Sequence, residues 1–211
     1  MSLEIINVMA VSLDGKIASH YLESDGERRA YGFTSPADRE RLLEVLHDAD
    51  AVILGANSLR VVGKAWAVKN YKNLFPTWII LTTRGLAAEL PFWSQTSVPR
   101  WLVSPKPISL VDPTVKNLVY REDESPASFI YDRLKSEDFG KVILFGGGTI
   151  NRFFYESGLV NRLKLTICPF IFAGEESVDL VTPQLLTSVH LRLLSSKSQE
   201  DHVFSEYMVQ K

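Results

Sequence analysis

Four short turns carry the residue types that could do chemistry. Gly146-Gly147-Gly148-Thr149 follows the apolar run Lys141 to Phe145 and opens a segment carrying Ile150, Phe153 and Phe154. Backbone without side chains can approach a pyrophosphate closely, and a following helix would present unpaired N–H groups with partial positive charge. A strand-to-helix turn that needs glycine only for its geometry is the competing reading. Gly55-Ala56-Asn57-Ser58 is a weaker version, in which Gly55 lets the chain turn while Ser58 and the nearby backbone amides offer hydrogen bonds; it reads as an anion contact or as a plain helix cap. Thr82-Thr83-Arg84 closes a third apolar run, and the Arg84 fork could grip an extra phosphate bidentately or lie in solvent. Ser12-Leu13-Asp14-Gly15-Lys16 closes the first run. Partial burial would raise the pKa of Asp14 and suit it to proton transfer, with Lys16 polarising an oxygen, yet Asp-Gly is also a common turn dipeptide.

Other chemistries find no support. The four histidines, His20, His47, His190 and His202, are far apart and form no ligand pair, so no metal is expected. A Gly-x-Ser-x-Gly elbow is missing, and Cys168, before Pro169, reads as a buried structural thiol. Trp66, Trp78, Trp93 and Trp101 read as core or as walls of a pocket.

The elements that must position these turns are legible from periodicity. Glu4 to Ser12 reads as a buried strand, and Ser35-Pro36-Ala37-Asp38 starts a helix with Leu42, Leu43, Leu46 and Ala49 on one face. Ala51 to Leu54, Trp78 to Leu81, Arg100 to Val103 and Asn117 to Tyr120 read as strands, with a short helix through Leu59 and Val62 after the first of these. Ser125-Pro126 opens another helix, and Gly158 ends the one that follows the glycine triplet. Leu163 to Ile167, Val189 to Leu194 and His202 to Val209 have few helical residues between them and suggest an antiparallel end to the sheet. The expected class is α/β, with a mixed, mostly parallel central sheet and helices on both faces.

With 211 residues, 45% of them hydrophobic, the chain suits one domain over residues 1–211. A net charge of −2 gives no global field for a phosphate backbone, so nucleic acid is not an expected partner. Apolar runs are far shorter than a bilayer span, the N-terminal residues lack a signal-peptide layout, and the single cysteine fits a reducing compartment, so a cytoplasmic location is expected.

Taken in order, Ser12 to Ala18, Thr34-Ser35-Pro36 with Arg39, Gly55 to Arg60, Gly146 to Thr149 and Cys168 to Gly174 resemble the pyrimidine reductase domain of riboflavin biosynthesis. The resemblance covers nearly the whole chain. It implies a dihydrofolate reductase-like fold, NADPH as cofactor, a small heterocyclic substrate and a homodimer. The reaction it implies is hydride transfer to C1′ of the ring-opened phosphoribosylamino chain of an aminopyrimidine. By the same resemblance Gly55, Ala56, Ser58, Thr83, Arg84, Gly147, Gly148, Thr149 and Ile150 bind the cofactor. Asp14 and Lys16 then lie near the nicotinamide and substrate as catalytic residues, Arg39 takes the substrate phosphate, and Phe145 faces the substrate. Three positions depart from the family. Phe145 stands where a glutamate is usual, Val61-Val62-Gly63-Lys64 replaces an Asp-Asp-Pro run, and Gly32 replaces a tryptophan. Losing polar groups from the substrate wall points to a changed heterocycle, or to a non-catalytic nucleotide-binding module, as alternatives. No His-x-Glu with a Pro-Cys-x-x-Cys partner occurs, so deaminase chemistry is not expected.

Overall fold

Three central strands are buried at every residue, which fixes the layering. In the computed structural model, which describes residues 2–172 and 174–210, these are β3 (Ala51–Gly55), β4 (Thr77–Leu81) and β5 (Arg100–Ser104). A strand with apolar side chains on both faces needs a helical layer on each side. Val52, Leu54, Trp78 and Ile80 pack with Val45 and Leu46 of α2 (Pro36–His47) and Leu59 of α3 (Ala56–Val62) on one face. Ala51, Ile53 and Ile79 pack with Ile130 and Leu134 of α4 (Pro126–Ser136) and Phe154 of α5 (Gly148–Glu156) on the other.

With β1 (Glu4–Val11), β6 (Lys116–Val119), β7 (Lys141–Gly146), β8 (Arg162–Ile167), β10 (Leu191–Gln199) and β11 (His202–Val209), the sheet has nine strands in the order β10-β11-β8-β1-β7-β3-β4-β5-β6. A separate pair joins β2 (Lys16–Ala18) to β9 (Val178–Asp179). The mixed, mostly parallel arrangement agrees with the sequence reading, with one refinement. The run Leu163 to Ile167 is parallel to β1, because helix α5 returns the chain before β8 begins; antiparallel pairing starts only at β11, on β8 and on β10. β11 has the expected bounds, whereas β10 runs past the expected Leu194, since the polar tail Ser195 to Gln199 continues it past a register shift after Leu193.

Helix starts follow their caps. Ser35 and Ser125 side chains accept from Asp38 N and Ser128 N, with Pro36 and Pro126 in the first turn. A six-residue helix α1 (Asp25–Ala30), not expected from periodicity, begins in a capping box of Ser24 and Glu27.

A polar group sits at the centre of the sheet. Asn7 of β1 is fully buried, and its Nδ2 donates to Leu144 O (2.9 Å) and to Asn151 Oδ1 (3.0 Å), while its Oδ1 accepts from the Tyr155 hydroxyl (3.1 Å). Asn151, also fully buried, donates from Nδ2 to Leu180 O (2.8 Å). Every atom of this network is satisfied, so α5 is locked to β1, to β7 and to the segment after β9. Asn7→Leu would leave Asn151 Oδ1 and the Tyr155 hydroxyl unpaired in the core. It is expected to lower the unfolding free energy by about 2–4 kcal/mol; urea denaturation showing a loss under about 0.5 kcal/mol would contradict the network's role.

Candidate active site

The turns singled out above meet at one cleft of about 780 Å³, at the carboxyl ends of β3, β4 and β7 and along the Val8 to Ala10 part of β1. Open α/β sheets hold ligands at such strand ends. Gly55, Ala56, Ser58, Thr83, Arg84, Gly147, Gly148, Thr149, Ile150, Arg39 and Phe145 all line it. Asp14 and Lys16 do not.

Each glycine of the triplet has its own reason. Gly146 has φ +63°, and a Cβ there would fall 1.9 Å from Asn151 Oδ1, so the buried amide network already requires it. A Cβ on Gly148 would meet Asp179 O at 2.6 Å, and Thr182 N donates to Gly148 O (3.1 Å). Packing accounts for both. Gly147, with φ +96°, lines the cleft, and a Cβ there would approach only Ser58 Oγ, at 4.0 Å. The turn after β3 comes equally close: a Cβ on Gly55 would lie 3.3 Å from Gly146 O and from Ile150 Cγ1. The starts of α3 and α5 therefore share one mouth, with Ser58 facing Gly147.

Arg84 flanks this mouth. Thr82 Oγ1 donates to Gly85 O (3.1 Å) and accepts from Arg84 N (3.4 Å), which shapes the turn after β4. Arg60 is tied to Asn57 Oδ1 (2.7 Å) and Gly85 O (2.8 Å), whereas the exposed Arg84 guanidinium has no hydrogen-bond or ionic partner among the described residues. At the other end, Arg39 lies over the Trp66 ring at 5.8 Å, and Phe145 packs against Trp78 with ring centroids 6.3 Å apart.

Asp14 and Lys16 instead secure a loop. Asp14 Oδ1 accepts from Ser12 Oγ (2.6 Å) and Phe172 N (3.2 Å), and Lys16 Nζ bonds Asp179 Oδ1 (2.6 Å). The Ser12 hydroxyl holds the Asp14 carboxyl below its ordinary value, with Phe172 N acting the same way. That is the opposite of the rise that proton transfer near neutrality would need, because the side chain is held by donors and not by apolar burial. Asp179 likewise pushes the Lys16 ammonium up. Of the Cys168 to Gly174 motif, Ala173 lies outside the described residues.

Sequence reasoning passed over two groups on the cleft wall, Asp38 and Thr166, which are bonded to each other at 2.6 Å. Asp38 was legible only as the acid in the first turn of α2, and nothing in the sequence joins it to Thr166 of β8. Among the described residues no group of three His, Cys, Asp or Glu side chains is placed to hold a metal, and no helix is long and apolar enough to cross a membrane.

A profile of the RibD C-terminal domain matches residues 4–204. The chain belongs to the RibD C-terminal domain family. This is a family of riboflavin-biosynthesis reductases, and the chain is accordingly placed among oxidoreductases. Among solved structures, a pyrimidine reductase-like protein of Corynebacterium diphtheriae is similar at 20% identity, over 99% of this chain and 92% of that one, with a TM-score of 0.80. The deaminase/5-amino-6-(5-phosphoribosylamino)uracil reductase of Thermotoga maritima is similar at 18% identity over 99% of this chain and 57% of its own length, TM-score 0.78. Dihydrofolate reductase of Enterococcus faecalis, complexed with NADP(H), shares the fold at 15% identity, 99% and 97% coverage and a TM-score of 0.56. A search of curated protein sequences returned no match. The sheet of this RibD C-terminal domain is thus dihydrofolate reductase-like, as the sequence resemblance implied.

Cys168 is fully buried, its Sγ contacts Phe33 O at 3.1 Å, and burial pushes the thiol up to about 12 from its ordinary 9.0. The unfolded chain releases this proton near pH 9 and the folded one retains it, so the thiol favours folding below pH 9 and that contribution is lost as pH rises toward about 12. Native protein at pH 8 is expected to be inert to a disulfide-exchange reagent and to react once in urea; rapid labelling without urea would show that the thiol is exposed.

Proposed function

We propose that the protein is an NADPH-dependent reductase that delivers hydride to the ring-opened ribosylamino C1′ of an aminopyrimidine, or to an equivalent imine carbon on another small heterocycle. The observation that carries this reading is the shared mouth of the β3–α3 and β7–α5 turns beside an arginine with no partner among the described residues. The cleft, at about 780 Å³, has the volume of a small-molecule or cofactor site, and Gly147 presents no side chain to it.

In this reading the N–H groups of Gly148, Thr149 and Ile150, with Gly147 beneath them, hold the pyrophosphate, and Gly55, Ala56 and Ser58 complete the grip from the facing turn. Thr83 and Arg84 take the extra phosphate that distinguishes NADPH from NADH. The cofactor, when bound, supplies the hydride. The protein's own groups orient the two ligands, hold water out and grip phosphates: Arg39 serves the substrate phosphate and Phe145 forms an apolar wall. Asp14 and Lys16 serve as positioning residues through the Ser12 to Phe172 loop and the Asp179 pair. Phe145 packed on Trp78 favours a heterocycle less polar on that side than the aminopyrimidine the family resemblance implies.

A homodimer is proposed on the same resemblance, and β10 offers a surface for it. All nine residues of this edge strand are exposed, Leu191, Leu193 and Leu194 among them, and an open edge of that length is a template for pairing with a second copy.

Arg84→Ala is expected to weaken NADPH about tenfold while leaving NADH affinity unchanged, a loss of one charge-assisted phosphate contact. Titration of the nicotinamide fluorescence measures both, and no NADPH binding to the wild type at tens of micromolar would end the cofactor assignment. Light scattering is expected to give a dimer mass, shifted toward monomer by Leu193→Lys; a wild-type monomer refutes the dimer.

A further inference from the structure

We propose that His20 is the proton donor of this cleft, giving the proton on its Nδ1 to the imine nitrogen of the ring-opened ribosylamino substrate as hydride reaches the neighbouring C1′. The inference rests on the reductase reading and supplies a group that this reading needs. Hydride brings its electron pair to C1′, the C1′=N double bond becomes a single bond, and the nitrogen must gain a proton to become a neutral secondary amine. The bound cofactor supplies the hydride, so the proton has another source.

Few side chains of the cleft can be that source. Among the described residues lining it there is no lysine, and His20 is the one imidazole, the side-chain type that gives up and regains a proton near neutrality. The carboxylates there act as acceptors. Glu23 accepts from Arg28 Nε (3.0 Å) and Ser19 N (3.0 Å), Asp38 accepts from Thr166 Oγ1 (2.6 Å), and Asp25 lies exposed in the first turn of α1, where the helix favours a carboxylate. A tyrosine ordinarily holds its proton to about pH 10, and burial pushes the Tyr120 hydroxyl higher still.

The fold presents the His20 ring from a fixed turn. β2 runs beside the glycine turn: its Ala18 pairs with Val178 of β9, and a Cβ on Gly148 would meet O of the next residue, Asp179, at 2.6 Å. His20 follows two residues after β2. Glu23, 5% exposed, spends its carboxylate on Ser19 N and on Arg28, and its own N–H donates to His20 O (3.3 Å), so the backbone around His20 is tied to α1. The ring itself is paired, with Nε2 3.4 Å from Glu27 Oε1. The other oxygen of Glu27 accepts from Ser24 Oγ (2.6 Å) and Ser24 N (2.7 Å), and these bonds hold its carboxyl down to about 2. An ionised carboxylate at that position calls for a proton on Nε2, which leaves Nδ1 as the nitrogen that exchanges; Nδ1 has no hydrogen-bond partner among the described residues. Glu27 does not line the cleft and acts through the ring, as a positioning residue. The His20 side chain is 38% exposed, so solvent can restore its proton after each turnover.

The test mixes NADPH-loaded protein with 5-amino-6-(5-phosphoribosylamino)uracil as probe and follows the nicotinamide absorbance through a single turnover. His20→Gln is expected to slow hydride transfer about hundredfold with NADPH affinity unchanged, and free imidazole is expected to speed His20→Ala at least about tenfold, a rescue that a purely structural role would not give. Glu27→Gln is expected to slow the wild type several-fold but to slow His20→Gln no further, because the two side chains act as a unit. A second readout needs neither cofactor nor turnover. Nitrogen NMR of the cofactor-free protein is expected to find the neutral His20 ring protonated on Nε2, a preference that Glu27→Gln removes. A loss under about threefold in His20→Gln, no rescue by imidazole, or a wild-type ring protonated on Nδ1 overturns the donor role and leaves the reductase reading standing. A wild type that oxidises no NADPH with this probe overturns the aminopyrimidine reading, and the donor role falls with it.

Discussion

The buried amide pair Asn7 and Asn151 is the constraint on which the cleft depends. Burying two side-chain amides between the sheet and α5 costs several kcal/mol unless each polar atom is matched, and here the Tyr155 hydroxyl, Leu144 O and Leu180 O complete the set. The matching fixes more than stability. Because Asn151 Oδ1 occupies the space beside Gly146, the β7–α5 turn can take only a glycine there and only the left-handed backbone that glycine adopts. The loop that faces the cleft is therefore shaped by the core beneath it, before any ligand arrives.

From that anchor the constraint passes outward in contacts of known partners. Asn151 holds Leu180 O, the neighbouring Asp179 O lies against Gly148, and the Asp179 carboxylate takes Lys16. Lys16 N in turn bonds Ser12 Oγ, whose proton goes to Asp14, and Asp14 receives Phe172 N. One continuous chain of contacts thus joins the glycine turn to the loop after β1. It explains why Asp14 and Lys16 stand in a conspicuous motif without lining the cleft: their charges are spent on holding two loops in register, and a carboxylate bonded by a hydroxyl and an amide is a poor proton carrier near neutrality.

Periodicity and caps made most of the framework readable. Ser35-Pro36 and Ser125-Pro126 mark helix starts because a cap oxygen and a proline with no N–H solve the same problem of unpaired donors. The all-apolar runs at β3 and β7 mark strands covered on both faces. What escaped has physical reasons. Helix α1 buries no residue, so no apolar stripe announces it and only its capping box does. The second half of β10, Ser195 to Gln199, is exposed and polar, so it is held by pairing with β11 and leaves no apolar pattern to read, whereas the Leu191 to Leu194 part was legible. Strands β2 and β9 are three and two residues long and exist through each other.

The same logic separates the two ends of the cleft. A phosphate grip is built from backbone and glycine at strand ends, features that are local in sequence, so Gly147 and its neighbours stood out from the residues alone. The opposite wall is built from side chains brought together across the fold: Asp38 and Thr166 are 128 residues apart, and Trp66 and Trp78 come from different segments around the same opening. Neither member of such a pair is informative by itself, since an acid in the first turn of a helix and a threonine in a strand both have ordinary structural explanations. Their direct bond, with the Thr166 hydroxyl also accepting from Arg41, fixes the first turn of α2 to β8 at the cleft wall. The wall of the cleft away from the glycine turns is therefore set by long-range pairing, whereas the turns after β3 and β7 are set by residues adjacent in sequence.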